Sequence, residues 1–244
     1  MNQIQPSKKV NYGLDAPNVI RNLAVAAFVV TLLALIFPVI KIGSETIDIR
    51  GLVWSGVSMG LGAVWMILYS VYGKYHLRDK MLALVNWTGA EQVLDIGTGK
   101  GLLLIGAAKR LQSGKATGID IWNAEDLTGN HIENALQNAR LEGVANKIDI
   151  LNENAIKMSF ADETFDVILS NECLHNIYNK NERQQACKEI VRVLKPGGCA
   201  IISDHKLTAE YQKYFEEAGL QVKMINKYYI TAYPTLRILD VRKT

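Results

Sequence analysis

Cysteine is scarce in this chain. Three stand among 244 residues, at positions 173, 187 and 199, and no two are spaced as CxxC. An odd count without paired spacing excludes a disulfide framework and a thiolate metal site, and free thiols suit a reducing compartment. No metal requirement is expected. Charge of one sign is missing too: 27 Lys and Arg stand against 24 Asp and Glu, a net +3. That balance supplies no field for nucleic acid, and no nucleic-acid partner is expected. A hydrophobic share of 49% excludes disorder. There is no internal repeat and no low-complexity segment. The most informative absence is local. No charged residue occurs from Leu23 to Ile40, and none from Leu52 to Gly73.

Each uncharged run is long enough for a helix across a bilayer, which takes about 20 apolar residues. The expected spans are about 22–42 and 52–72, within an amino-terminal segment 1–74. The first run is too long for the apolar core of a cleaved leader and lacks a clear cleavage site. Pro38 lies near its end, where a helix stops or kinks cheaply. In the second run Gly56 and Gly60 form a small-xxx-small pair, extended by Gly51 and Ser55. Such a face suits close helix contact in lipid, within a hairpin or between two copies in a homodimer. Trp54, Tyr69 and Tyr72 fall near the ends as interfacial aromatics, and Trp65 falls deeper, as a packing residue. Lys8, Lys9 and Arg21 precede the first span; Lys74, Arg78 and Lys80 follow the second. The loop KIGSETIDIR balances its charges. The positive-inside rule then predicts a multi-pass protein of the cell membrane with both termini and the following domain cytoplasmic.

Residues 75–244 alternate helix and strand. KYHLRDKMLALV is helical by its apolar spacing. EQVLDIG, ATGIDIW, KIDILNENA, TFDVILSN and CAIISD read as strands. KGLLLIGAAKRL, NHIENALQNARLEG and NERQQACKEIVRVLK read as the helices between them. Thr128 or Asn130 is the expected cap of the second of these, and Pro196-Gly197-Gly198 the stop of the third. A last helix, AEYQKYFEEAG, leads to the strands QVKMINKYYI and LRILDVRKT, joined by TAYPT and expected to pair antiparallel. Strands joined by single helices form a parallel sheet with right-handed crossovers.

The first of these strands runs into Asp95-Ile96-Gly97-Thr98-Gly99-Lys100-Gly101 and then a helix. Glycines permit close backbone approach to a ligand, and a helix N-terminus favours an anion. The next strand ends at Asp120, where an acid in a doubly wound fold binds ribose hydroxyls. A P-loop would need Gly at 94 and Ser or Thr at 101, where Leu and Gly stand. A dinucleotide fingerprint needs GxGxxG, and the spacing here is GxGxG. Asp95 beside a pyrophosphate would set anion against anion. It suits a cationic group, such as an amino group or a sulfonium.

In order, VLDIGTGKG, GIDIW, FDVILSNECLHNI and VLKPGGCAIISD resemble the class I S-adenosylmethionine-dependent methyltransferases. The pattern is most similar to their type 11 small-molecule branch, over roughly residues 75–244. The resemblance implies a doubly wound, Rossmann-like α/β fold with a seven-stranded sheet and its last strand antiparallel, here preceded by two transmembrane helices. It implies S-adenosylmethionine as cofactor. Asp95, Gly97, Thr98, Gly99 and Gly101 would surround the methionine moiety, and Asp120 would bind the ribose. Ile121 and Trp122 would pack on the adenine. Asn154 and Ala155 stand where Asp-Ala is common and would face the adenine amine. Asn171 would lie beside the sulfonium, with Leu174 and His175 in the substrate-facing loop. More local roles compete: Asp95 as a cap of the next turn, Trp122 as plain core, Glu125 and Asp126 as a solvated loop.

Methyl transfer from a sulfonium needs orientation first, and a general base only where the acceptor begins protonated. His175 and then Glu172 are the expected catalytic residues, ahead of Tyr178 and His205, although His175 in a loop-holding role fits the same sequence. His131 is expected to be structural. NECL lacks the Pro-Pro-aromatic of many amide and nucleobase methyltransferases, and the cysteines form no arsenic-binding set. The tether to a bilayer favours a lipid, quinone-like or terpenoid acceptor. Two rivals stand beside this reading: a non-catalytic S-adenosylmethionine-binding membrane regulator, and an NAD(P)-dependent oxidoreductase on the same fold.

Overall fold

The computed structural model describes residues 9–123, 127–228 and 235–244. Lys8, the Glu125–Asp126 pair and most of the TAYPT turn lie outside the described residues.

Helix α1, Pro17–Ile36, begins with Pro in its first turn. It ends two residues before Pro38, which has no N–H to donate and disfavours helix in the residue before it. The expected span to 42 is therefore too long at its far end. Val39–Ile42 and Glu45–Asp48 instead form a two-stranded antiparallel ribbon, β1 and β2, turning at Gly43. Helix α2, Leu52–Leu68, returns alongside α1. It passes through a π-helical turn at Tyr69–Gly73 directly into α3, Lys74–Leu82, as one helix of 31 residues. The boundary expected near residue 74 thus falls within a continuous helix.

Both helices are long and apolar enough to cross a membrane, and most of their surface is left uncovered by the rest of the chain. Val25, Phe28, Leu35, Trp54 and Leu61 are exposed. Trp65 is exposed as well, not packed, because only one face of α2 meets α1. That face is the glycine face. A Cβ on Gly56 would collide with the Thr31 side chain and come within 2.9 Å of the Ala27 carbonyl oxygen. Of the two uses expected for this face, the contact within the hairpin is the one that Gly56 makes. Around Gly51 nothing lies within 4 Å, so it does not extend the face.

Seven strands form the main sheet: β3 Gln92–Ile96, β4 Lys115–Asp120, β5 Ile148–Asn152, β6 Phe165–Asn171, β7 Leu194–Asp204, β8 Gln221–Tyr228 and β9 Leu236–Arg242. Their order is β5-β4-β3-β6-β7-β9-β8. The first five pair in parallel, and β9 pairs antiparallel with both β7 and β8. Alternate residues of each strand feed two cores. Val93, Val167 and Ile201 pack with α3 and with α4, Leu102–Ala108. Leu94, Ile168 and Ile202 pack with α6, Lys180–Val193, and α7, Thr208–Glu217. That two-sided burial is what makes near-continuous apolar strands stable. Strand β7 begins at Leu194, before Pro196; the Pro-Gly-Gly stretch is a bulge, since partners jump from Leu194 to Cys199 while β6 advances from Phe165 to Val167.

Helix α5, Ile132–Leu141, carries no side-chain cap, contrary to expectation. Asn130 turns instead to Asp120 Oδ1, 3.4 Å away, and to the Asn123 carbonyl oxygen at 3.1 Å.

The Gly56 contact yields a prediction. Gly56→Ala is expected to cost about 1–3 kcal/mol by overpacking and to lower the thermal midpoint in detergent. Gly60→Ala, whose new methyl would meet only the Ala27 Cβ at 3.8 Å, is expected to leave it within a degree or two. Equal midpoints for the two variants would contradict the hairpin packing.

Candidate functional site

The carboxyl ends of β3, β4, β6 and β7 converge on one cavity of about 600 Å³, within the range of small-molecule sites. At its centre is the loop after β3. Gly97 takes φ +72°, and a Cβ there would overlap Cys173, so no larger residue fits. The Gly97 and Thr98 amides donate to the Ile119 carbonyl oxygen at 2.9 and 3.1 Å, which pins the loop to β4.

Asp95 is buried. Its Oδ2 accepts from Thr98 Oγ1 at 2.8 Å and from the Leu104 amide of α4 at 3.0 Å. It therefore does cap the following turn, and it also lines the cavity. Burial raises its pKa to about 7, against the lowering effect of the two hydrogen bonds, and the nearby Asp120 adds to the rise. Asp120 accepts from the Gly99 amide through Oδ2 at 2.8 Å and from the Trp122 amide through Oδ1 at 2.7 Å. Both acids thus organise the loop and face the same space.

Of the expected cofactor residues, Asp95, Gly97, Thr98, Gly99, Asp120, Ile121, Asn154, Ala155 and Asn171 line the cavity. Three do not. Gly101 supplies a left-handed turn before α4. Trp122 is half-buried with φ 58° and is not among the residues that line the cavity. Leu174 is 1% exposed and belongs to the α6/α7 core. Asn154 spends one interaction on its own turn, accepting from the Ile156 amide at 3.0 Å. The buried oxygens Asn171 Oδ1 and Asn130 Oδ1 have no hydrogen-bond partner among the described residues. Buried acceptors left open in a cavity wall call for a ligand's donors.

The catalytic expectations also meet here. Glu172 and His175 line the cavity, joined by His205 and Tyr178. Glu172 has a left-handed backbone, φ 53°. Its Oε1 lies 3.0 Å from His205 Nδ1, and this partner raises the His205 pKa. His175 Nδ1 lies 2.8 Å from Asp204 Oδ1, and the two imidazoles meet edge to face at 4.4 Å. Asp204, fully buried at the end of β7, accepts from the His175 and His205 amides at 3.2 and 2.8 Å and from the Tyr211 hydroxyl at 3.3 Å. Sequence reasoning missed Asp204, although its place at a strand end was the available signal.

A second group was missed for want of any signal. Tyr12, Asp15 and Val19 from the amino-terminal stretch, and Met66 and Lys74 from the long helix, form part of the same wall. Lys74 is buried and donates to the Tyr12 and Gly13 carbonyl oxygens at 2.9 and 2.5 Å and to Asp15 Oδ2 at 3.3 Å. It is thus an internal tie rather than one of the exposed flanking cations. Lys100, in the glycine loop, is buried and also among the residues lining the cavity.

The seven-stranded sheet with its reversed last strand is the Rossmann-like methyltransferase fold, whose methyltransferase domains take S-adenosylmethionine as cofactor. The family described as "Methyltransferase domain" matches residues 94–202. A demethylmenaquinone methyltransferase of Lactiplantibacillus plantarum is 32% identical over 123 residues, 50% of this chain and 48% of that one. The chain spans about half the length of the curated relatives it matches. Among solved structures, an S-adenosylmethionine-dependent methyltransferase from Aquifex aeolicus superposes with a TM-score of 0.54 at 20% identity, covering 67% of this chain and 88% of that one. The [4+2]-cyclase SpnF superposes at 0.59 with 18% identity, covering 69% and 80%. At such identities the superpositions establish the fold, and one fold hosts several chemistries.

The Asp95 geometry yields a pH prediction. Folded Asp95 titrates near 7 against an ordinary 3.8, so the free protein loses stability as pH rises from about 4 to about 7 and levels off above. A cationic ligand group needs the carboxylate. Affinity for S-adenosylmethionine, measured by calorimetry, is therefore expected to rise about tenfold from pH 6 to pH 8, and Asp95→Asn to flatten that slope. Asp120→Ala is expected to weaken cofactor binding at every pH by about 1.5–3 kcal/mol.

Proposed function

We propose that the chain is a membrane-anchored methyltransferase that methylates a lipophilic ring bearing a hydroxyl group, of the quinol class. One observation carries the reading. The cavity walled by the glycine loop is also walled by Val19 of α1 and Met66 of α2, the two long apolar helices. A site shared between a cofactor loop and apolar helices suits an acceptor with an apolar tail. The menaquinone precursor named for the Lactiplantibacillus relative is a compound of that kind. Lys9, Arg21, Arg78 and Lys80, flanking the hairpin, support a cytoplasmic side for both of its ends and for the domain.

In this reading Asp120 holds the ribose hydroxyls, and Ile121, Asn154 and Ala155 border the adenine. Asp95 and Asn171 take the ammonium of the amino-acid moiety, and Lys100 its carboxylate. Bound S-adenosylmethionine supplies a methyl group on a sulfonium whose leaving group needs no proton. The chain must then orient the acceptor in line and take up the proton that its hydroxyl gives up. Glu172, His175 and His205 stand at the end of the cavity beyond Asn171 for that purpose. The buried Asp204 carboxylate accepts from the His175 amide at 3.2 Å and so fixes the turn that carries the imidazole.

The test is turnover in lipid nanodiscs carrying a reduced, polyprenylated demethylnaphthoquinol. S-adenosylhomocysteine is expected to accumulate with a methylated quinol. His175→Ala is expected to lower kcat at least a hundredfold and leave cofactor affinity within about twofold. Tight cofactor binding without turnover on any lipid extract would instead mark a regulator.

A further inference from the structure

Four metal-ligating side chains come together at the acceptor end of the cavity. Glu172 follows β6, and His175 lies in the short turn after it. Asp204 ends β7 and His205 follows. Their nearest ligand atoms all lie within 4.8 Å of one another. His205 Nδ1 is 3.0 Å from Glu172 Oε1 and 3.5 Å from Asp204 Oδ1, and His175 Nδ1 is 2.8 Å from that same oxygen. A tetrahedral ion with bonds of 2.0–2.2 Å needs ligand atoms about 3.4 Å apart, so small side-chain shifts would suffice.

A second observation is independent of the clustering. The His175 side chain is nine-tenths buried, yet its Nδ1 has no well-aligned hydrogen-bond partner despite its closeness to Asp204. A buried ring nitrogen 2.8 Å from a carboxylate oxygen, with no aligned hydrogen bond between them, leaves two electron-rich atoms short of an electrophile. A proton or a metal ion can be that electrophile. Two carboxylates with two neutral imidazoles carry a net charge of −2, which a divalent cation cancels.

We propose that Glu172, His175, Asp204 and His205 bind a divalent transition-metal ion. The mixed nitrogen and oxygen donors favour zinc, manganese or iron(II) over magnesium or calcium, which take oxygen donors. The second ligand sphere is already in place. Asp204 is held by the His205 amide and the Tyr211 hydroxyl, which fixes the orientation of its carboxylate. Glu172, His175 and His205 open onto the cavity, so a further coordination position faces the acceptor. There the ion would hold the acceptor's hydroxyl oxygen. With the ion bound, these side chains would serve as its ligands instead of taking up the proton themselves; the O–H proton would pass to water, its electron pair would stay on the oxygen, and the ring would become electron-rich for methylation. This role rests on the methyltransferase reading, whereas the binding of the ion does not.

The experiment uses the full chain, free of any affinity tag, in detergent. The protein is stripped with a chelator and titrated with cobalt(II), followed by visible absorption, while zinc is counted by elemental analysis. One equivalent per chain is expected, with d–d bands of four- or five-coordinate cobalt that zinc abolishes. Glu172→Gln and His205→Ala are each expected to weaken cobalt binding at least tenfold, while S-adenosylhomocysteine binding shows that both variants are folded. Absence of the bands, or bands unchanged in both variants, would overturn the site. Cobalt bands without any cofactor binding would sink the methyltransferase reading and spare the metal site; cofactor binding without the bands would do the reverse.

Discussion

The arrangement of this molecule depends on one buried cation. Lys74 sits where the long helix leaves its apolar run, and its ammonium is enclosed by Tyr12 O, Gly13 O and Asp15 Oδ2. An ammonium so enclosed is tolerable only when every donor finds an acceptor, and removing a partner would strand the charge. The tie therefore holds the amino-terminal stretch across the carboxyl ends of the strands. Other bonds follow its course: Asn11 exchanges hydrogen bonds with Asn138, Tyr12 donates to Glu142, and Asp15 bridges to Leu127. Without that stretch the cavity would lose one wall and the hairpin its firmest attachment to the sheet.

The sheet was largely legible in the sequence, because its order follows from local patterns. Five short apolar runs separated by amphipathic ones leave few topologies, and the strand ends Asp95, Asp120 and Asn171 fall where open α/β sheets place ligands. What escaped was non-local or conformational. Tyr12 and Val19 reach the cavity from more than seventy residues before the glycine loop, and nothing in their own segment announces it. The ribbon at Val39–Asp48 had a visible alternation, VIKI-GS-ETID, masked by the expectation of a helix through Pro38. Trp122 depended on a left-handed backbone that no spacing rule foretells. Asp204 was accessible by the same strand-end rule that found Asp120, and it shows that the rule extends to β7.

The site divides its work by environment. Around the glycine loop, acids are held by backbone amides and open acceptors await a ligand's donors. Beyond Asn171, imidazoles and carboxylates face one another with little else to neutralise them. The first region suits recognition of a fixed, cationic cofactor. The second suits chemistry on a group that changes its charge during reaction. The left-handed Glu172 marks the border, and strain of that kind persists only where surrounding contacts enforce it.

The unbroken helix from Leu52 to Leu82 has a geometric consequence. A helix advances about 1.5 Å per residue, so Met66 and Lys74, both on the cavity wall, lie about 12 Å apart along its axis. Met66 belongs to the apolar run, and Lys74 lies just past it. In a membrane-anchored protein, as proposed above, such a helix would act as a ruler that sets the height of the reactive end above the plane of the lipid. An amphiphile whose ring sits at the headgroup level would meet the site without leaving its leaflet. Shortening or lengthening the rod by a few residues would change which depth of molecule is read, with the chemistry untouched.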